Sequence, residues 1–187
     1  MDYDVLVVGC SLAGIAYCDV LEQNDLSFKV FDDNSQQSSK VAAGLYNPVI
    51  LIRFSKVWEV KSQLDIPLPF YERMEQTLSK TFDYKTPIYR LFHSVEEQNL
   101  WFEASDKPDL APYLSLDLIN NSNSNVIAPF GFGKVNQCGR LDTAYFINLY
   151  REYLNEKGIF INERFDYSSI EITSNGINYK GVSAKTI

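Results

Sequence analysis

The sequence predicts an α/β fold with a doubly wound, mainly parallel sheet, and three observations carry that prediction. Val5-Leu6-Val7-Val8 is a run of four apolar residues ending at Gly9, the pattern of a parallel strand buried on both faces. Leu12 to Leu21 continues with small and apolar residues at helical spacing, and Phe28-Lys29-Val30-Phe31 then reads as a second strand closed by Asp32. Far along the chain, Ile170 to Thr173, Ile177 to Lys180 and Ser183 to Ile187 alternate in polarity like a small antiparallel crossover.

The opening strand, helix and strand carry chemistry as well as fold. A tight turn at Gly9 would let phosphate oxygens approach backbone N–H groups at the positive end of the next helix dipole. Gly14 lets that helix lie close to the strand, and Asp32 stands eighteen positions after Gly14, close to where a carboxylate accepts hydrogen bonds from a ribose. Cys10, Ser11, Leu12 and Ala13 fill the turn, and Asp33 is the alternative ribose acid. Ser11 replaces the second glycine of the G-x-G-x-x-G fingerprint, and its Cβ crowds the approach that glycine leaves open. The bland reading is a glycine-bearing turn in an unrelated α/β domain. The acid closing the second strand favours a dinucleotide.

The next elements differ in character. Ser55 to Phe82 reads as two helices interrupted by Pro67 and Pro69. Pro87 to Phe92 reads as a strand, and Val95 to Ala104 as a helix capped by Ser94 with Glu97 three residues on. Asn120 to Asn125 is a polar loop, and Val126 to Cys138 is aromatic and glycine-punctuated, suggesting strand and turn. Gly139 to Thr143 reads as a strand end and helix cap, Ala144 to Glu156 as an amphipathic helix stopped by Gly158, and Ile159-Phe160-Ile161 as a third parallel strand. Three segments result: 1–83 and 141–187 as two parts of a nucleotide-binding domain, and 84–140 as an inserted α+β lobe.

Composition sets the outer limits. With 187 residues and 45% hydrophobic content the chain can bury a real core. The start Met1-Asp2-Tyr3-Asp4 has no positive region, and no apolar run approaches a membrane span, so the expectation is a cytoplasmic protein without membrane contact. Three cysteines without C-x-x-C spacing argue against a disulfide framework or a zinc site, and no metal is expected. A net charge of −7 with no basic cluster weighs against direct nucleic-acid binding.

Val41-Ala42-Ala43-Gly44-Leu45, with Ser38 and Ser39 before it and Tyr46-Asn47-Pro48 after it, resembles the stretch after the second strand in the D-amino-acid oxidase (DAO) family of FAD-dependent oxidoreductases. The resemblance implies a Rossmann-like FAD-binding domain carrying part of a substrate lobe, with FAD as cofactor and an amine or amino acid as substrate. By position it makes Ser38, Ser39, Ala43, Gly44 and Leu45 cofactor contacts beside Gly9 to Gly14, Asp32 and Asp33, and it places backbone groups at Phe165 against the adenine. The residues agree physically, because two alanines and a glycine remove bulk where a flat ring must lie against backbone; a small-residue loop packed on the sheet is the bland alternative. One branch of this family acts on modified bases in tRNA, which the acidic balance disfavours.

The resemblance also implies that these residues amount to the first half of a family member. The last strand is then expected to be only beginning, with an exposed edge beside Ser183 to Ile187, and the C-terminal half or a partner chain is expected to complete the fold; the isolated chain is expected to be inactive. No catalytic residue is assigned. His93, the only histidine, reads as a surface or structural group; Arg53 could reach the flavin or a substrate carboxylate, or pair with Glu59; and Tyr46 has the same dual status. The alternatives are an NAD(P)-linked dehydrogenase, which does not require the V-A-A-G-L segment, and a dinucleotide-binding module without turnover.

Overall fold

A computed structural model describes residues 2–35 and 37–187, so that Met1 and Gln36, both in the first expected segment, lie outside it. In chain order the elements are β1 (Tyr3–Val8), α1 (Leu12–Gln23), β2 (Phe28–Phe31), α2 (Ser38–Val41), β3 (Leu45–Tyr46), β4 (Val49–Ile50) and β5 (Ser55–Lys56). There follow α3 (Val60–Asp65), α4 (Pro67–Leu78), β6 (Asp83–Lys85), β7 (Ile88–Leu91), α5 (Val95–Ser105), β8 (Phe132–Val135) and β9 (Gly139–Leu141). The chain ends with α6 (Thr143–Glu156), β10 (Phe160–Ile161), a 3-10 turn at Tyr167–Ser169, β11 (Ile170–Thr173), β12 (Gly176–Tyr179) and β13 (Val182–Thr186).

Two compact units divide these elements: residues 1–42, 77–82 and 142–187 form the first, and residues 43–76 and 83–141 the second. Residues 43–76, grouped by the sequence with the first segment, therefore fall in the second unit. Pairing of the two-residue strand β3 with β9 explains this, a contact that no local pattern announces.

The first unit is a six-stranded sheet in the order β10-β2-β1-β13-β12-β11. β10, β2, β1 and β13 run parallel, while β12 and β11 return antiparallel, giving the mainly parallel α/β sheet with an antiparallel crossover. β1 pairs β2 from Val5 opposite Phe28 to Val8 opposite Phe31, and β13 from Tyr3 opposite Ala184 to Val5 opposite Thr186. β13 is therefore interior, bonded on one side to β1 and on the other to β12. This corrects the expected edge at Ser183–Ile187: the sheet's edges are β10 and β11. Leu6, Phe31, Phe165, Tyr179 and Ala184 form one buried cluster of this unit. Phe165 stacks on Tyr179 at 4.0 Å and meets Phe31 edge-on at 5.5 Å.

Helix α6 is fixed at its start by Asp142, whose carboxylate accepts from Tyr145 N–H at 3.2 Å, and buries Thr143, Phe146, Ile147, Tyr150 and Leu154 along one face.

The second unit has its own core around Trp101, Phe92, Leu110, Leu114 and Val135. Trp101 donates its indole N–H to Ser115 O at 2.9 Å, and a Cβ on Gly133 would lie 2.5 Å from its ring, so only glycine fits there. Ser94 caps α5 as expected, accepting from Glu97 N–H at 3.2 Å. Pro67 and Pro69 do not interrupt a helix: both lie in the first turn of α4, where a missing N–H removes no helical bond. α3 ends at Asp65 and α4 begins at Pro67, the two helices and the break that the sequence predicts.

Candidate functional site

Gly9 adopts φ +98°, a backbone region that L side chains rarely enter, and its N–H donates to Phe31 O at 2.8 Å, locking the turn to the end of β2. A Cβ at Gly14 would stand 2.1 Å from Gly9 O. That separation is the close approach of helix and strand that the fingerprint requires. Ser11 is the N-cap of α1 at φ −92°, ψ −177°, an extended conformation open to any residue. The departure from the fingerprint thus carries no backbone strain. The hydroxyl makes no capping bond, and Ser11 O accepts from Ile15 N–H at 2.9 Å as α1 begins. Cys10 is buried beneath the turn, and burial pushes its thiol up to about 11, which makes it a space-filling group at neutral pH.

Asp32 is more fully engaged than a free ribose acceptor would be. Its Oδ2 accepts from Cys10 N–H, its Oδ1 accepts from Asn34 N–H, and Arg151 of α6 pairs with Oδ1 through Nη2. Both side chains of the ion pair are nearly buried, Arg151 at 13% and Asp32 at 10% exposure. Among the described residues Oδ1 has two partners and Oδ2 one, which leaves Oδ2 the lone pair for a further hydroxyl. Sequence reasoning missed Arg151 because it lies 119 residues from Asp32. A signal was present: Arg151 is four residues after Ile147 and three before Leu154, hence on the buried face of α6. A cation there needs a buried partner.

A cavity of about 450 Å³ opens in the first unit at this turn, lined among others by Gly9, Ser11, Asp32, Asp33, Arg164 and Phe165. Asp33 faces it as the second acid, held below the usual carboxylate range by the hydroxyl and N–H of Ser35. The far wall is braced by Tyr179, whose hydroxyl accepts from Asp166 N–H and donates to Glu163 Oε1, both at 3.0 Å. Lys180 pairs with Glu163 and holds that carboxyl low. A space bounded by a glycine turn, a helix N-terminus and two acids fits an adenosine diphosphate moiety, with diphosphate at the N–H groups and ribose at the acids. Ser38 and Ser39 open the short helix α2 of this unit, Ser38 exposed and Ser39 half-buried.

Ala43, Gly44 and Leu45 belong to the second unit. Gly44 has φ +68°, and a Cβ there would lie 1.9 Å from Leu141 O, so packing on β9 alone demands glycine. Ala43 and Leu45 are exposed, an apolar surface open to a flat ring. Tyr46 donates to Asp83 Oδ1 at 2.9 Å and accepts from Lys85 Nζ at 3.0 Å, a network within the β3-β9-β6 sheet. Arg53 lines a separate cavity of about 240 Å³ with Phe54, Glu97, Glu103 and Lys107. His93 is 68% exposed with Nδ1 3.1 Å from Glu97 Oε2. Among the described residues no helix is long and apolar enough to cross a membrane.

No family model matches the chain. Solved structures do. An L-amino acid deaminase from Proteus vulgaris superimposes with a TM-score of 0.66 at 16% identity, covering 99% of this chain and 46% of its own. A glycine oxidase from Bacillus cereus gives 0.59 at 18% identity, covering 98% and 53%. An L-alpha-glycerophosphate oxidase from Mycoplasma pneumoniae, solved with FAD bound, gives 0.56 at 14% identity, covering 98% and 52%. The chain has the fold of these proteins and spans about half their length.

Proposed function

We propose that this chain is the cofactor-binding half of an FAD-dependent oxidoreductase of the D-amino-acid oxidase class, acting on a small amine or amino acid in the cytoplasm. The observation that carries the reading is the cavity of the first unit, where the Gly9 turn, the start of α1 and the acids closing β2 converge. The likeness to an amino acid deaminase and a glycine oxidase supports the substrate class. Gly9, Cys10, Ser11, Leu12, Ala13 and Gly14 would hold the pyrophosphate, Asp32 and Asp33 the ribose, the backbone at Phe165 the adenine, and Ser38, Ser39, Ala43, Gly44 and Leu45 the remainder. When bound, FAD supplies a two-electron acceptor, so that oxidation of a carbon bearing an amine needs no acid or base from this half.

Residues 1–187 alone are expected to bind FAD weakly and to turn over no amine, since the chain spans about half the length of the oxidases it matches. The activity test therefore uses the whole reading frame that contains these residues. Anaerobic mixing with amines and amino acids should bleach the flavin absorbance for at least one of them. Bound FAD that no amine or amino acid bleaches would contradict the oxidase and leave a cofactor-binding module. Nicotinamide reduction in its place would favour a dehydrogenase.

A further inference from the structure

The acids that face the cavity pose an electrostatic problem for any diphosphate. Asp32, Asp33 and Glu163 all line the space and, among the described residues, face a single lining cation, Arg164, in a chain of net charge −7. Asp32 lies nearest the phosphate end, because its Oδ2 accepts the N–H of Cys10, part of the same turn. An isolated carboxylate there would repel the ligand that the turn is shaped to take. Glu163 is neutralised by Lys180 from β12 and its turn, and Asp32 is neutralised by Arg151 from α6. Arg151 reaches Asp32 from a helix packed beside α1 and α2, and its guanidinium lies 5.7 Å from the Phe160 ring. The Asp32–Arg151 contact is nearly buried, where solvent screens it little.

We propose that Arg151 is a positioning residue of the dinucleotide site: it fixes the Asp32 carboxylate and cancels its charge, so that an acidic cavity accepts a diphosphate. The inference rests on the dinucleotide reading above and concerns the ADP moiety, whatever group is attached to it. It makes a distinct claim about ligand charge. Loss of the guanidinium should weaken ligands in proportion to their phosphate charge, whereas loss of structure alone would weaken them all alike.

The experiment titrates the whole protein that contains these residues, freed of bound nucleotide, with ADP, adenosine and FAD by calorimetry, for the wild type and for Arg151→Met, Arg151→Lys and Arg151→Met/Asp32→Asn. Circular dichroism monitors folding throughout. Arg151→Met should weaken ADP and FAD by at least about tenfold, which one uncompensated charge already reaches at about 12 Å from a single phosphate charge at an effective dielectric of about 20, while adenosine changes by less than about twofold. Arg151→Lys should restore most of the ADP affinity, and the double variant should recover the electrostatic part by removing the stranded carboxylate. Equal losses for ADP and adenosine, or no loss in Arg151→Met, would overturn the inference. If Arg151→Met fails to fold, the ratio of ADP to adenosine affinity in Arg151→Lys and in the double variant decides: both keep the pair electrically balanced, so the ratio should stay within about threefold of the wild type's even where loss of the Asp32 contact to ribose weakens both ligands, and a larger fall in the ratio would overturn the inference. Wild type that binds ADP but not FAD would reject the flavin and leave the Arg151 comparison intact. Wild type that binds neither would overturn both.

Discussion

Gly14→Ala isolates the contact on which the turn depends. The added Cβ would lie 2.1 Å from Gly9 O, where contacts under 3.0 Å are essentially never seen, so the first turn of α1 or the Gly9 peptide must move by about 1 Å. Overpacking of this kind costs about 1–3 kcal/mol, and the helix preference of alanine over glycine returns about 1, leaving a loss of about 0–2 kcal/mol in stability. The same displacement carries the N–H groups of Ser11, Leu12 and Ala13 at the start of α1 away from the phosphates, Gly9 and Cys10 already donating to Phe31 O and Asp32 Oδ2. One charge-assisted hydrogen bond is worth about 1.5–3 kcal/mol, which translates into an affinity for ADP weaker by about one to two powers of ten. Urea unfolding followed by circular dichroism measures the first effect, and calorimetric titration with ADP the second. A variant that loses stability yet binds ADP as tightly as the wild type would refute the assignment of this turn to the diphosphate.

Further outcomes follow from the same contacts. Asp32→Ala should do more than weaken FAD by one to two powers of ten: it strands Arg151 in a nearly buried site, so stability should fall by about 3–5 kcal/mol in urea unfolding, whereas Asp32→Asn with Arg151→Met should be far milder. Tyr179→Phe removes the hydroxyl that bridges Asp166 N–H and Glu163 and should cost about 1–2 kcal/mol by the same measurement. Ser11→Gly should change stability by only a few tenths of a kcal/mol, because Ser11 has an extended backbone and makes no capping bond, and ADP titration should show affinity equal to or tighter than wild type. Asp4, Asp33, Glu163 and Asp166 are held below their ordinary range, chiefly by bonds to Lys185, Ser35, Lys180 and Ser168 respectively. The folded state therefore binds fewer protons than the unfolded one in acid. The stabilisation is complete above about pH 5 and is lost as the pH falls, so the urea midpoint should drop between about pH 5 and pH 3.

Much of the first unit was legible because its signals are local. β1, the Gly9 turn, α1 and β2 are written in consecutive residues, and Ser94 and Asp142 announce their helices by side-chain type at a fixed offset. What escaped depends on contacts across the chain. β3, β4 and β6 hold two or three residues each, too short for alternation to register, and β3 and β6 both pair with β9 far along the sequence. Pro67 marks the break between α3 and α4, and the first turn of α4 holds both prolines because no helical N–H is needed there. The interior position of β13 follows from pairing with β1, the most distant strand in sequence, and the Asp32–Arg151 pair from α6 folding back beside α1. Gly44 shows the converse: the A-A-G-L turn singled out its glycine as a cofactor contact, yet the carbonyl of Leu141 alone forbids a side chain there.

The central claim is that the cavity beside Gly9, Asp32 and Phe165 holds the ADP end of FAD. The most direct measurement is to purify the whole protein that contains this chain, denature it, and identify the released small molecule by chromatography and its absorbance. FAD released in near one-to-one ratio, from a protein that purified yellow, is the expected result. Release of NAD(P) without flavin, or of no nucleotide from a protein that also fails to take up added FAD, would contradict it.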